Sequence, residues 1–155
     1  MPLLNQAYSQ SAYRLAEDLL STPEAARVMC AEPGEADREE MLFRKLGPRG
    51  WGRLYHFRHF YGPGWGEGRG RALSPRAIEA FYKFLEAVQL PAGVQPSIFL
   101  TDDGGLELCW EDESGKAVQA AFLPSHVEVY RAADALEREL PLSDSQLAAE
   151  LISQH

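Results

Sequence analysis

Residues 96–131, PSIFLTDDGGLELCWEDESGKAVQAAFLPSHVEVYR, decide how the rest of the chain is read. They contain four short strand-like runs: Ser97 to Thr101, Leu106 to Glu111, Ala117 to Phe122 and Val127 to Arg131. The breaks between them are Asp102-Asp103-Gly104-Gly105, Asp112-Glu113-Ser114-Gly115 and Leu123-Pro124-Ser125, each with the Gly, Pro, Asp or Ser that a tight reversal uses. Breaks this short join antiparallel neighbours and leave no room for a helical crossover. The prediction is an antiparallel four-stranded β-meander over about 97–131. Alternation assigns its faces: Leu106, Leu108 and Trp110 fall on one side and Glu107, Cys109 and Glu111 on the other, with Val118, Ala120 and Phe122 repeating the apolar side.

A sheet with one apolar face needs a cover. The preceding segment supplies one. Ser74-Pro75 is an N-cap followed by proline at the first helical position, Leu73 and Ile78 are spaced as a hydrophobic staple, and Ile78, Phe81, Phe84, Leu85 and Val88 form a stripe that ends before Pro91. A helix over 75–89 therefore roofs the meander. The fold class is α+β, with helices at both ends of the chain.

Upstream, residues 8–20 carry an amphipathic pattern (Tyr8, Ala12, Leu15, Ala16, Leu19), Thr22-Pro23-Glu24 opens a short second helix, and a third runs from Ala36 to Leu46. Downstream, Ala132 to Leu140 reads as helix through Ala133, Leu136 and Leu140. A further helix over 144–153 is signalled by the S-x-x-Q box at Ser143 and a Leu142–Leu147 staple. At 155 residues the chain fits one domain, residues 1–155. It divides into a helical part (1–46), a Gly/Arg/aromatic loop (47–73) and an α+β core with C-terminal helices (74–155).

The loop is the most function-like stretch. It holds eight of the 13 glycines, interleaved with aromatic rings and arginines. Because glycine costs about 1 kcal/mol against alanine in a helix, the stretch reads as loop, apart from residues 53–61, which suit a short helix or strand. Charge segregates in the same place: a +7 strip over residues 44–76 lies between segments of −5 and −10, within a net charge of −8. Arg49, Trp51, Arg53, Tyr55, Arg58, His59, Trp65 and Arg69 are the candidate partner-binding residues. Arginine with exposed aromatic rings suits an acidic protein surface or, as the alternative, single-stranded nucleic acid or RNA through phosphate pairing and base stacking, while the strip can equally be neutralised within the fold by the chain's own acidic sheet.

Catalytic chemistry has less to stand on. The sequence has no GxSxG, P-loop or strand-GxGxxG-helix motif, and no catalytic residue, cofactor or metal is assigned. His56 and His59 at i, i+3 lack a third ligand, and the paired acids of the hairpins read as solvated turns. Arg53 and His59 form an R-x5-H arrangement that resembles the R-x4-6-H spacing of HEPN ribonucleases, which implies a third, weaker reading as a nuclease. Two cysteines without a ligand cluster, no apolar run of about 20 residues and no signal-like N-terminus point to a cytoplasmic chain with reduced thiols.

Gly64-Trp65-Gly66-Glu67-Gly68, then Leu73-Ser74-Pro75 with Ala77-Ile78, then Pro96-Ser97-Ile98 and Asp103-Gly104-Gly105-Leu106-Glu107-Leu108-Cys109-Trp110-Glu111, resemble a group of small uncharacterised bacterial proteins. That group has a GW-G loop, an S-P-x-A-I helix and a P-T-x-x-G-G-x-x-L-E-W hairpin. The resemblance spans residues 61–130, and Cys109 departs from it by replacing an acid before tryptophan. It carries no activity. It implies an accessory protein of a mobile or defence-type locus: an antitoxin-like, inhibitor or adaptor module with a protein partner and no membrane.

Overall fold

The computed structural model describes residues 33–153. The helices expected over 8–20 and from Thr22, and Cys30, lie outside them. The described elements are α1 (Pro33–His59), α2 (Pro75–Ala87), β1 (Ser97–Leu100), β2 (Leu106–Glu111), β3 (Ala117–Phe122), β4 (His126–Arg131), β5 (Leu136–Pro141), a 3-10 turn (Leu142–Asp144) and α3 (Ser145–Ser153).

The meander is present and has five strands rather than four, in the order β1-β2-β3-β4-β5, all antiparallel. Its apolar face is the one read from the alternation: Leu106, Leu108, Phe122 and Val127 are fully buried, as are Phe81, Phe84 and Leu85 of α2 above them. Ser74 caps α2 as its sequence implies, its Oγ accepting from the Ala77 amide at 3.4 Å. Ile78 lies at the rim of the core and is partly buried. All three described helices pack on this side; α3 lies against α2 and β4, and α1 against β1 and α2. Burial of each large side chain contributes about 1.5–3 kcal/mol before chain entropy is subtracted.

Cationic side chains close two helix ends. Lys45 Nζ donates to the carbonyl oxygens of Leu85, Glu86 (3.3 Å) and Val88 (2.7 Å) at the end of α2, and Arg131 Nη1 donates to Leu151 O of α3 at 2.7 Å. Both satisfy carbonyls that lack a partner within the helix.

Two expectations are corrected. Residues 136–141, expected as the end of a helix over 132–140, form β5. Their Leu136/Leu140 spacing is helical, yet the residues between are exposed and every one of the six pairs with β4. The turn before β5 contains no glycine: Ala135 takes the left-handed backbone (φ 53°), and Arg131 grips Asp134 through Nε–Oδ1 at 2.9 Å and Nη2–Oδ2 at 2.7 Å. The second correction concerns residues 47–73. Gly47 (φ 74°, ψ 174°) kinks α1, and residues 48–59 resume the helix with Pro48 at the start of the new arm. Only 60–74 is loop. Gly50 and Gly52 are tolerated inside that arm because they are buried; a Cβ on Gly50 would lie 2.9 Å from Leu46 Cβ. Close packing of Gly50 on the Leu46 side chain outweighs the propensity penalty there.

The α3 helix was expected over 144–153 and matches closely, without the expected staple, since Leu147 is exposed. Its turn is closed instead by Ser145, fully buried, whose Oγ donates to Leu142 O at 2.7 Å.

Candidate partner-binding surface

Because the second arm of α1 is helical, Trp51, Tyr55 and His59 fall at i, i+4 and i+8 and stack along one line. Ring centroids are 5.7 Å apart for Trp51–Tyr55 and 4.3 Å for Tyr55–His59. Phe43 meets Trp51 edge-on at 6.2 Å from the first arm, and Phe60 closes the row 6.4 Å from Tyr55. Phe43 and Phe60 are 44% and 63% exposed, so the row ends in two apolar rings open to water. The kink at Gly47 folds the arms together. Glu39 reaches across them, accepting from Trp51 Nε1 at 2.7 Å through one oxygen and from Arg58 Nη1 at 3.1 Å through the other.

The eight residues singled out from sequence thus separate into three groups. Trp51, Tyr55 and His59 form the row, and Arg49 and Arg53 are exposed on the same arm. Arg53 stacks on Phe57 of its own helix and on Phe99 of β1, 5.7 and 5.1 Å from the ring centroids. Arg58 is paired with Glu39. Trp65 is turned onto its own loop: its Nε1 donates to Arg71 O at 2.6 Å, Tyr61 packs edge-on at 5.4 Å, and a Cβ at Gly70 would overlap the indole. Arg69 is exposed on that loop, away from the row in sequence. Arg53 and His59 do not converge. Six residues of helix turn them about 120° apart, Arg53 lies on Phe99, and His59 lies on Tyr55.

The sheet presents a second surface. Its face away from the helices carries Glu107, Glu111, Glu128, Glu137 and Glu139 together with exposed Phe99 and Tyr130. Sequence alternation placed Glu107 and Glu111 there; β5 adds Glu137 and Glu139, which the helical reading of 132–140 hid. On this face the Cys109 Sγ donates to Glu107 Oε1 at 3.3 Å. Burial, followed by that hydrogen bond and the charge of Glu107, pushes its thiol up to about 12. The thiolate is the reacting species, so in a Cys30→Ser background Cys109 should be alkylated by iodoacetamide at pH 8 roughly tens of times more slowly than an ordinary thiol, after allowing for the greater nucleophilicity of a basic thiolate. Glu107→Gln should speed it. Ordinary reaction rates in both forms would contradict this environment.

The fold and surfaces define a class: an α+β domain whose distinctive chemistry lies on exposed faces, an arginine-aromatic helix at one edge of a sheet and carboxylates across its open side. Comparison of the chain with protein-family models, curated proteins and solved structures finds no match. No helix among the described residues is long and apolar enough to cross a membrane.

Proposed function

We propose that this chain is a protein-interaction module, an accessory protein of the antitoxin-like, inhibitor or adaptor kind. It docks a protein partner bearing acidic side chains on the second arm of α1. The observation that carries this reading is the row of Phe43, Trp51, Tyr55 and Phe60, exposed at its two ends and half-buried between them, on an arm that also carries exposed Arg49 and Arg53 on its other side. Trp, Tyr and Arg dominate the energetics of protein interfaces, and rigid rings lose little entropy when they are covered. The arginines select an acidic partner.

Single-stranded nucleic acid is the competing occupant, since a stacked aromatic row also suits bases. The neighbouring carboxylates favour protein. Arg53 lies on Phe99, which pairs across the sheet with Glu107, so a phosphate backbone passing Arg53 would meet the acidic face.

A photo-crosslinking residue at position 55, introduced in the native host, should yield one discrete protein adduct that position 113 in the β2–β3 turn does not. The purified complex should weaken about tenfold or more with Trp51→Ala and with Arg49→Glu plus Arg53→Glu. Identical adducts from both positions would reject the reading. A nuclease-sensitive adduct with steeply salt-dependent binding would replace it with the nucleic-acid one.

A further inference from the structure

We propose that His126, Glu128 and Glu139 form a site for a divalent transition-metal ion of the zinc class on the open face of the sheet, clamping β4 to the edge strand β5. This inference stands apart from the partner-binding surface and shares no residue with it. His126 and Glu128 are i, i+2 on β4 and so share a face, and Glu139 lies directly opposite Glu128 in the β4–β5 register. One ligand atom from each of the three can be chosen so that all lie within 4.8 Å of one another.

The geometry points to a metal in three ways. His126 Nε2 and Glu128 Oε1 are hydrogen-bonded at 2.8 Å, so an ion that replaces the proton between them needs the two atoms to part only to about 3.3–3.4 Å, the separation of two tetrahedral ligand atoms at about 2.0–2.1 Å. Glu139 is an exposed side chain that a rotamer change brings in. Ser125 Oγ lies 2.7 Å from His126 Nδ1. It can therefore accept the Nδ1 proton and leave Nε2 as the lone pair facing the ion, the outer partner that metal-bound histidines use. Finally, directly opposed like charges on neighbouring strands destabilise a sheet. Glu128 and Glu139 are such a pair, and the only ion pair that either makes among the described residues is that of Glu128 with His126. The base on β5, Arg138, alternates towards the other face and, although it borders the same groove, makes no ion pair with either glutamate among the described residues. Both glutamates also line an open groove of about 450 Å³ with Gln119, Tyr130, Glu137 and Arg138, so an ion there keeps open positions for water or a further ligand. One imidazole with two carboxylates suits zinc-class ions better than sulfur-seeking ones.

The test uses the full chain stripped with chelator and titrated with zinc chloride alone. One ion per chain should bind by calorimetry, and saturation should raise Tm by roughly 5 °C. His126→Ala and Glu139→Gln should each weaken binding about tenfold or more. Glu137→Gln, on the same face but outside the triad, should leave it unchanged. Both ligand variants replace side chains on the outer face of the sheet, so they should fold, and circular dichroism confirms it. The proposal is overturned by an absence of binding, by binding equally strong in His126→Ala and Glu139→Gln, or by an equal loss in Glu137→Gln, which would mark diffuse attraction to an acidic surface.

Discussion

Replacing Phe122 by alanine should lower the unfolding free energy by about 3–5 kcal/mol, a large part of the 5–15 kcal/mol typical of a folded domain. Phe122 is fully buried at the centre of the sheet, paired with Leu106 and Val127 on its two sides. Two α2 rings meet it edge-on, Phe81 at 5.5 Å and Phe84 at 5.0 Å. Truncation removes the transfer energy of the ring and both aromatic contacts, and it leaves a cavity walled by strands that cannot collapse into it. The control is Phe99→Ala, on the open face and 42% exposed, which should cost about 1 kcal/mol or less. Urea unfolding reads both: the Phe122 midpoint should drop sharply with the slope preserved. A loss below about 1 kcal/mol for Phe122→Ala would mean that the helices do not roof this face.

Gly104→Ala should cost about 2–4 kcal/mol, although the position lies in a surface turn. Gly104 has φ 85°, and a Cβ there would overlap the Ala72 carbonyl oxygen, a backbone atom. That carbonyl cannot simply retreat, because its neighbours are tied to the same turn: the Arg71 amide donates to Asp102 O and the Ser74 amide to Gly104 O, both at 2.8 Å. Ser74 is also the cap of α2, so the β1–β2 turn sets where the roofing helix begins. Gly93→Ala separates the two causes. Gly93 has φ 75° with nothing within 4 Å of an added Cβ, so it should show only the left-handed strain, about 1–2 kcal/mol. Equal costs at both positions would show that the loop–turn contact adds nothing, and hydrogen exchange of the Ser74 amide would confirm or deny its release.

Local chemistry was legible in sequence wherever it agreed with the final packing. The hairpin breaks at Asp102–Gly105 and Asp112–Gly115 announce themselves. In the second, Asp112 Oδ1 accepts from the Ser114 amide and hydroxyl and from the Lys116 amide at 2.7–2.9 Å. The apolar alternation of β2 and β3 and the capped stripe of α2 are equally local, and together they specify a meander with a helix over it. For the site, the residue types were legible and their arrangement was not. Trp51, Tyr55 and His59 become a row only once residues 48–59 are helical, and Trp65 leaves the set because its indole packs on Gly70.

What the chain alone determined is therefore the order of the central strands, the apolar face and the helix that covers it, because periodicity and turn chemistry act over a few residues. Tertiary structure decided the rest. Residues 136–141 are a strand because β4 offers them a full ladder of partners, and Gly50 sits in a helix where a side chain would press on Leu46 across the Gly47 kink. Both choices depend on contacts between elements, strand on strand and arm on arm, whose energies exceed the local propensities that a single sequence displays.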